Sequence, residues 1–375
     1  MQKKRIMINA FALRGGGGQT HLIKIINYLD KVRDFSVAVL LPHKSNLVFQ
    51  RNDIEIIQVK WAVENPIMRT IWEIFYLPIL LKKLKIDVLF CPGGLITTKV
   101  PKGVKSATMF RNMTPFDQNL LNSMPLNLRK IRNLILKRLM LRSMKKADLV
   151  IFISKFAEKI IKQHLTTPLK KRALIHHGVD FSKDEKEEDI STIIKFPYIL
   201  YPSSIDLYKS QLEVIEAYYL LSKKIDLPHL VLLGSLEQNP DYATQVRESI
   251  QIKGLQDKVV LPGKVDFKLM PTMYRQSSFI IFASQSENCP NILLEAMSSG
   301  KLILCSNFQP MPEFAKESVI YFDPKKPEDL KNNLEMVMKK EDLVDYYSKK
   351  SLEESETYSW EDTSRKTWKS LVEII

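Results

Sequence analysis

The sequence predicts an α/β protein built from two doubly wound parallel sheets. Its 375 residues are long for one hydrophobic core and comfortable for two domains of roughly 150–200 residues each. Short apolar runs alternate with amphipathic segments along the whole chain, the pattern of parallel strands with helices on both faces. That alternation is interrupted once, between Phe181 and Lys195, where Ser182 to Asp189 contains no apolar residue and reads as a solvated linker.

The first unit should open with a strand over Arg5–Ala10, a loop over Phe11–Gly18 and a helix over Gln19–Leu29. Further strands are expected at 36–41, 54–59, 88–91, 107–110, 149–153 and 173–176. After the linker the second unit should place strands at 198–201, 229–233, 259–261, 279–282, 302–305 and 319–321. Helices are expected there at 210–221, 242–252, 268–275, 290–299 and 327–338, with a last helix from Trp360 to Ile375. The boundaries that follow are 1–183 for the first domain, 184–196 for the linker, 197–357 for the second domain and 358–375 for the terminal helix.

Composition excludes several classes. Hydrophobic residues at 45% and charged residues at 26% are those of a soluble globular protein, not of a disordered or fibrous one. The longest apolar stretch, Ile71–Leu81, contains Glu73 and Pro78 and falls short of the roughly 20 residues of a membrane span. The basic start Met1–Arg5 is followed only by Ile6–Ile8, without the apolar core of a signal peptide, so a cytoplasmic protein is expected. Cys91, Cys289 and Cys305 fit no zinc or redox spacing and read as reduced thiols.

Charge is unevenly divided. Residues 1–183 hold 33 basic and 11 acidic residues, a net of +22, whereas the remainder nets −8. A one-sided basic domain favours an anionic partner: nucleic acid, an anionic membrane or a phosphorylated substrate. The segment 126–146 concentrates Arg129, Lys130, Arg132, Lys137, Arg138, Arg142, Lys145 and Lys146 among Leu128, Ile131, Leu134, Ile135, Leu139 and Met140. It reads either as a core-facing helix with a solvated basic face or as a helix that docks on an anionic membrane. Nucleic acid is not expected as a partner, because no recognition module or aromatic stacking motif accompanies the charge.

The segment Ser284–Gly300 carries the most chemistry. It follows an apolar strand, so Glu287 falls in a loop at a strand's carboxyl end, where open parallel sheets bind ligands. Pro290 suits the first helical position with Asn288 or Cys289 as cap, and Gly300 suits the helix stop. A helix start here would present amides from Cys289 through Pro290 and Asn291 to Ile292 to phosphate oxygens, aided by a dipole contribution of about 0.3–1 kcal/mol. Glu287 could accept hydrogen bonds from sugar hydroxyls and Glu295 those of a ribose; the Glu-x7-Glu spacing holds the two carboxylates apart for separate parts of one ligand.

On these residues the chain resembles the retaining GT-B glycosyltransferases of the large group 4 family. The resemblance covers Glu287, Glu295 and the Ala296-Met297 and Gly300 that follow, and further matches fall in family order. These are Gly15–Gly18, Val150–Ser154, His177–Asp180, Leu232–Gly234, Leu261–Val265 and Tyr358–Trp360. It implies two Rossmann-like domains facing across a cleft, the donor held mainly by the C-terminal one, and a last helix that crosses back to the N-terminal domain.

The resemblance also implies roles. Lys209 matches the family's phosphate-binding lysine, while Ser203 or Ser204 stands where relatives have an arginine. Arg111 or Arg14 is the candidate substitute. Gly16 and Gly17 would approach the donor phosphates, and Val265 and Ser204 join the donor site. Arg111 would lie on the acceptor side, and Asn112 would hydrogen-bond near the anomeric centre, although a turn before Pro115 explains that residue equally well. No cofactor and no metal are expected, the substrate being a nucleotide-diphosphate sugar and the charge of the leaving diphosphate being met by donors already in place. The expected activity is retaining, metal-independent transfer of a hexose-type sugar to a glycan or lipid-linked saccharide in surface polysaccharide synthesis. The expected place is the inner face of the cell membrane. A sugar-nucleotide epimerase of the same plan and a non-catalytic nucleotide-sugar-binding relative remain alternatives.

Overall fold

The computed structural model of the chain describes residues 3–13, 16–123, 128–180, 187–194 and 196–375. It comprises two compact units, one formed by residues 1–178 with 359–375, the other by 179–358. The first contains β1 (Lys4–Asn9), β2 (Phe35–Pro42), β3 (Glu55–Val59), β4 (Val88–Cys91), β5 (Lys105–Phe110), β6 (Leu149–Phe152) and β7 (Arg172–Leu174). Among the described residues these make a parallel sheet in the order β3-β2-β1-β4-β5-β6-β7. The central strand shows why: Ile6 pairs with Val37 on one side and Val88 on the other, and Ile6, Met7 and Ile8 are fully buried. A strand covered on both faces has no polar alternation to display.

Helices α1 (Gly17–Asn27), α2 (Pro66–Phe75), α3 (Leu77–Lys83), α4 (Gln118–Ser123), α5 (Leu128–Lys146) and α6 (Lys155–His164) connect these strands. Their starts are written locally. Asn65 accepts from the amides of Ile67 and Met68 ahead of Pro66, and Ser154 accepts from Ala157 N at 3.1 Å, so the serine of the Val150–Ser154 match is the cap of α6. Helix α5 departs from the core-facing reading of 126–146. It buries Asn133, Met140, Ser143 and Met144, while Leu128, Ile131, Leu134, Ile135 and Leu139 are 44–84% exposed. Most of its apolar residues therefore face away from the core.

The second unit contains β8 (Tyr198–Pro202), β9 (His229–Leu233), β10 (Val259–Gly263), β11 (Phe279–Phe282), β12 (Ile303–Ser306) and β13 (Ile320–Phe322). They form a parallel sheet in the order β10-β9-β8-β11-β12-β13. Successive residues feed opposite cores: Ile199, Tyr201, Leu230 and Leu232 pack on one face, Leu200, Val231, Leu233 and Phe282 on the other. Around it lie α7 (Gln211–Ser222), α8 (Pro240–Ile252), α9 (Met270–Gln276), α10 (Asn291–Ser298), α11 (Met311–Ala315), α12 (Pro327–Lys339) and α13 (Glu341–Ser355). Neither α11 nor α13 is anticipated from the sequence. The first is five residues long and starts within a proline pair, and the second is mostly polar with only Ser351 and Ser355 buried.

The expected solvated linker is shorter than its composition suggests. Residues 181–186 and 195 lie outside the described residues. Ile190 and Ile194, one helical turn apart, are 4% and 5% exposed in the second unit's core, and Glu188 N donates to Thr272 Oγ1 at 2.9 Å. The units accordingly divide after Gly178 and before Ser359, not at 183 and 358.

The terminal helix α14 (Trp360–Val372) belongs to the first unit, as the resemblance implies. Ser364 Oγ and Trp368 Nε1 both donate to Ile25 O at 2.8 Å, and Trp368 stacks on Phe35 at 5.6 Å. Gly178 crosses Trp360 so closely that a Cβ there would sit 2.1 Å from Trp360 N. Gly178→Ala should therefore destabilise the protein by about 1–3 kcal/mol through backbone displacement, read as a lower urea midpoint; an unchanged midpoint would show that the crossing has slack.

Candidate functional site

In the second sheet β8 and β11 are neighbours although three strand positions apart in sequence. Their connections leave in opposite directions, which makes their carboxyl ends a topological switch point. The loop after β8 carries Ser203, Ser204 and Lys209; the loop after β11 carries Ser284 to Pro290. Gln285 ties them together, its N–H donating to Tyr208 O and its Nε2 to Ser210 Oγ, both at 2.7 Å.

Lys209 ends a 3-10 turn over Leu207–Lys209. Asp206 caps that turn by accepting from Leu207 N at 2.9 Å and is itself held by Asn239 Nδ2 at 3.0 Å. Ser210, at φ 54° and ψ 36°, turns the chain into α7. The lysine is 4% exposed. Its ammonium pairs with Glu287 Oε1 and faces the rings of Tyr208 and Phe282 at 4.9 and 5.7 Å. Burial pulls its pKa down, but the Glu287 charge, the Tyr208 phenol, the hydrogen bond to Glu287 and Asp206 outweigh it, and the net shift is upward. The site thus keeps a buried cation fully charged.

Ser284 Oγ donates to the same Glu287 Oε1 at 2.9 Å. Oε2 has no hydrogen-bond partner among the described residues. Glu287 therefore offers one oxygen fixed from behind and one available to a ligand hydroxyl. Glu295 sits in α10, where Tyr274 OH donates to its Oε2 at 3.1 Å. Burial pushes its pKa up to about 7 against the lowering effect of that hydrogen bond. The two glutamates are electrostatically distinct, one paired with a cation and one crowded by neutral groups.

The start of α10 differs from the expected one. The helix begins at Asn291, Pro290 is its N-cap, and no side chain caps it. Asn288 and Cys289 do not fill that role. Pro290 has no N–H, and Asn291 N donates to Cys289 O at 2.9 Å. The amides presented by the first turn are thus those of Ile292 and Leu293, one residue beyond the predicted set. Gly300, at φ +65°, closes the helix as expected.

Two glycines shape the neighbouring loops. A Cβ on Gly234 would lie 2.1 Å from Ser203 O, so the β8 loop passes directly over it; Gln211 Nε2 then holds Ser203 Oγ and Ser204 O at 3.0 Å each. Gly263, at φ +78°, turns the chain after β10 towards Val265. Val265 borders a depression of about 440 Å³ with Ile193, Val260 and Pro262.

In the first unit, Gly16 has φ 56° and Gly17 opens α1; Gly15 and Arg14 lie outside the described residues. Arg111 NH2 donates to Gly17 O, which joins the β5 and β1 loops. Asn112 is exposed, and its Oδ1 accepts from Thr114 N at 3.1 Å. That bond makes the Asx turn before Pro115 and leaves the amide nitrogen for a ligand.

Comparison with known proteins agrees with both sheets. Residues 182–354 match the family model described as "Glycosyl transferases group 1", and residues 15–183 match "Glycosyltransferase Family 4". The chain belongs to the group 1/family 4 glycosyltransferases. It is 25% identical over 312 residues, 82% of this chain and 81% of the relative, to the N-acetylgalactosamine-N,N'-diacetylbacillosaminyl-diphospho-undecaprenol 4-alpha-N-acetylgalactosaminyltransferase of Campylobacter jejuni. A glycosyltransferase from Rickettsia africae superposes with a TM-score of 0.74 at 20% identity, covering 100% of this chain and 99% of that one. Anabaena HepE, solved with UDP and glucose, gives 0.74 at 14% identity, covering 99% and 100%. These two structures establish the GT-B fold class.

In this glycosyltransferase, sequence reasoning found Lys209, Glu287 and Glu295 but not the groups that set their states. Ser284 lies in the same segment and was legible as a hydroxyl three residues before Glu287. Tyr274, Tyr208 and Gln285 carry no local signal, because what recruits them is strand adjacency. Glu295 yields a pH test. Its folded pKa of about 7 lies above the ordinary 4.5, so between those values the unfolded chain holds fewer protons than the folded one. Stability is then lost as pH rises through that window, by up to about 3 kcal/mol. Glu295→Gln should gain on the wild type between pH 4.5 and 7.5 in urea unfolding; a difference independent of pH would contradict the assignment.

Proposed function

We propose that this glycosyltransferase is a retaining enzyme. It moves a hexose-type sugar from a nucleoside-diphosphate sugar to a glycan or lipid-linked saccharide during surface polysaccharide assembly. The observation that carries the reading is the buried, charged Lys209 paired with Glu287 at the switch point, beside an uncapped helix start. Nucleoside-diphosphate sugars need a cation for the diphosphate, amides for its oxygens and a hydroxyl acceptor for the sugar. Lys209 and the amides of Ile292 and Leu293 serve the diphosphate, Glu287 Oε2 a sugar hydroxyl, Glu295 the ribose and Val265 the base.

In the reaction the bond from the anomeric carbon to the diphosphate oxygen breaks as one to the acceptor oxygen forms on the same face. The acceptor proton passes to the departing phosphate. Charge building on that phosphate meets a fixed cation and fixed amides, which is where preorganised donors contribute most. We assign metal-independent transfer on this ground, with Arg111 and Asn112 on the acceptor side. The Campylobacter relative is named for a diphospho-undecaprenol acceptor, which supports a lipid-linked one here. No helix among the described residues is long and apolar enough to cross a membrane. Contact with the anionic inner face of the cell membrane falls to α5, whose exposed isoleucines and leucines stand among basic residues with no acidic residue in the helix.

A thermal-shift panel of nucleotide sugars tests the donor. A donor at 100 times its Kd should stabilise by about 2.7 kcal/mol, and no shift with any member would remove the proposal. Glu287→Gln should lower turnover at least tenfold, about 1.4 kcal/mol of barrier, in a variant that unfolds at the wild-type temperature. Release of free sugar or epimer without an acceptor would point to an epimerase instead.

A further inference from the structure

A cavity of about 910 Å³ in the first unit is lined by residues of α2, by residues of the second half of α5 and by the segment 93–106 between β4 and β5. None of the site residues above lines it. Seven basic and two acidic residues line it. Both acids are already satisfied: Glu73 accepts from Asn9 Nδ2 at 2.8 Å and from Thr97 Oγ1, and Asp148 accepts from Lys170 Nζ at 3.0 Å and from Ser106 N at 2.9 Å. The basic residues Lys99, Lys102, Arg142 and Lys146 are exposed around it. Thr98, only 8% exposed, lines the same space with its hydroxyl lacking a hydrogen-bond partner among the described residues. A buried hydroxyl with nothing to bond is costly unless a ligand completes it.

The cavity is also continuous with apolar surface. Ile74 of α2 and Leu139 of α5 line it and are 43% and 44% exposed. From them the exposed faces extend to Ile71 and Phe75 on α2, and to Ile131 and Ile135 on α5. A cationic hollow with a spare hydroxyl, opening between two greasy helix faces, fits a ligand with a charged head and an apolar tail better than it fits a free sugar or a nucleotide.

We propose that this groove binds a phosphate or diphosphate carried on a long apolar chain, the lipid end of the acceptor; the assignment rests on the glycosyltransferase reading above. Lys99, Lys102, Arg142 and Lys146 meet the phosphate, Thr98 Oγ donates to it, and the chain lies along Ile74 and Leu139. None of the residues assigned to the donor lines this groove.

Titration calorimetry with the full-length protein tests this with three probes: farnesyl diphosphate, inorganic pyrophosphate and decyl maltoside below its micellar concentration. Farnesyl diphosphate should bind at least tenfold more tightly than pyrophosphate, and decyl maltoside should not bind measurably. The doubly substituted R142E/K146E protein, changed only at exposed positions, should bind farnesyl diphosphate at least tenfold more weakly. Thr98→Val should weaken it several-fold. Equal binding of farnesyl diphosphate and pyrophosphate would leave only a phosphate site, and equal binding of decyl maltoside only a greasy one; either result, or unchanged affinity in R142E/K146E, overturns the proposal. The nucleotide-sugar thermal shift is measured on the same variant. If it persists, a failure belongs to the groove alone, whereas its absence in the wild type as well would be a failure of the donor reading.

Discussion

One buried ion pair organises the second unit's chemistry. Lys209 is almost fully enclosed, and a lone ammonium in that position would be expensive to desolvate. Glu287 makes the burial tolerable, and Ser284, Gln285, Asp206 and Asn239 hold the two loops in the register that lets the pair form. The pair costs more to half-break than to keep, since losing one partner leaves the other's charge uncompensated. In the proposed reaction the pair stays intact: the diphosphate meets the lysine, and Glu287 accepts a sugar hydroxyl on the oxygen that the lysine does not use.

The two sheets share a topology and divide the labour by charge. The second unit is net negative, and it places one buried lysine, Lys209, with the first turn of α10 at the switch between β8 and β11. The first unit is strongly basic, and its cations are dispersed over α5 and the rim of the groove beside it. A small, defined anion suits the first arrangement. A surface or a chain-borne phosphate suits the second.

The sequence was legible where short-range pattern determines the outcome. The central strands were predicted nearly residue for residue, because a strand covered on both faces is an uninterrupted apolar run such as Phe279–Phe282. The terminal helix was legible from its spacing of Trp360, Trp368 and Leu371. Boundaries set by long-range packing were not: Ile190 and Ile194 look like part of a polar linker until the second unit's core is assembled around them. The same limit applied at the site. Glu287, Glu295 and Lys209 were readable from loop position and motif, whereas the elevated pKa of Glu295 comes from burial, against the opposing hydrogen bond from Tyr274, and no local pattern reports either. Helix α5 was the opposite case: its composition was clear, but only its packing shows which apolar residues the core leaves outside.

The division of the donor between Lys209 and Glu287 is the claim on which the account stands. Titration of a nucleoside diphosphate and of its sugar derivative into wild type, Lys209→Met and Glu287→Gln measures it directly. Lys209→Met should weaken both ligands at least tenfold, while Glu287→Gln should weaken the sugar derivative by a similar factor and leave the nucleoside diphosphate within about twofold, each tenfold step being about 1.4 kcal/mol. If Glu287→Gln weakened both ligands alike, or neither substitution weakened either, the pair would be a structural strut and not the grip on an activated sugar.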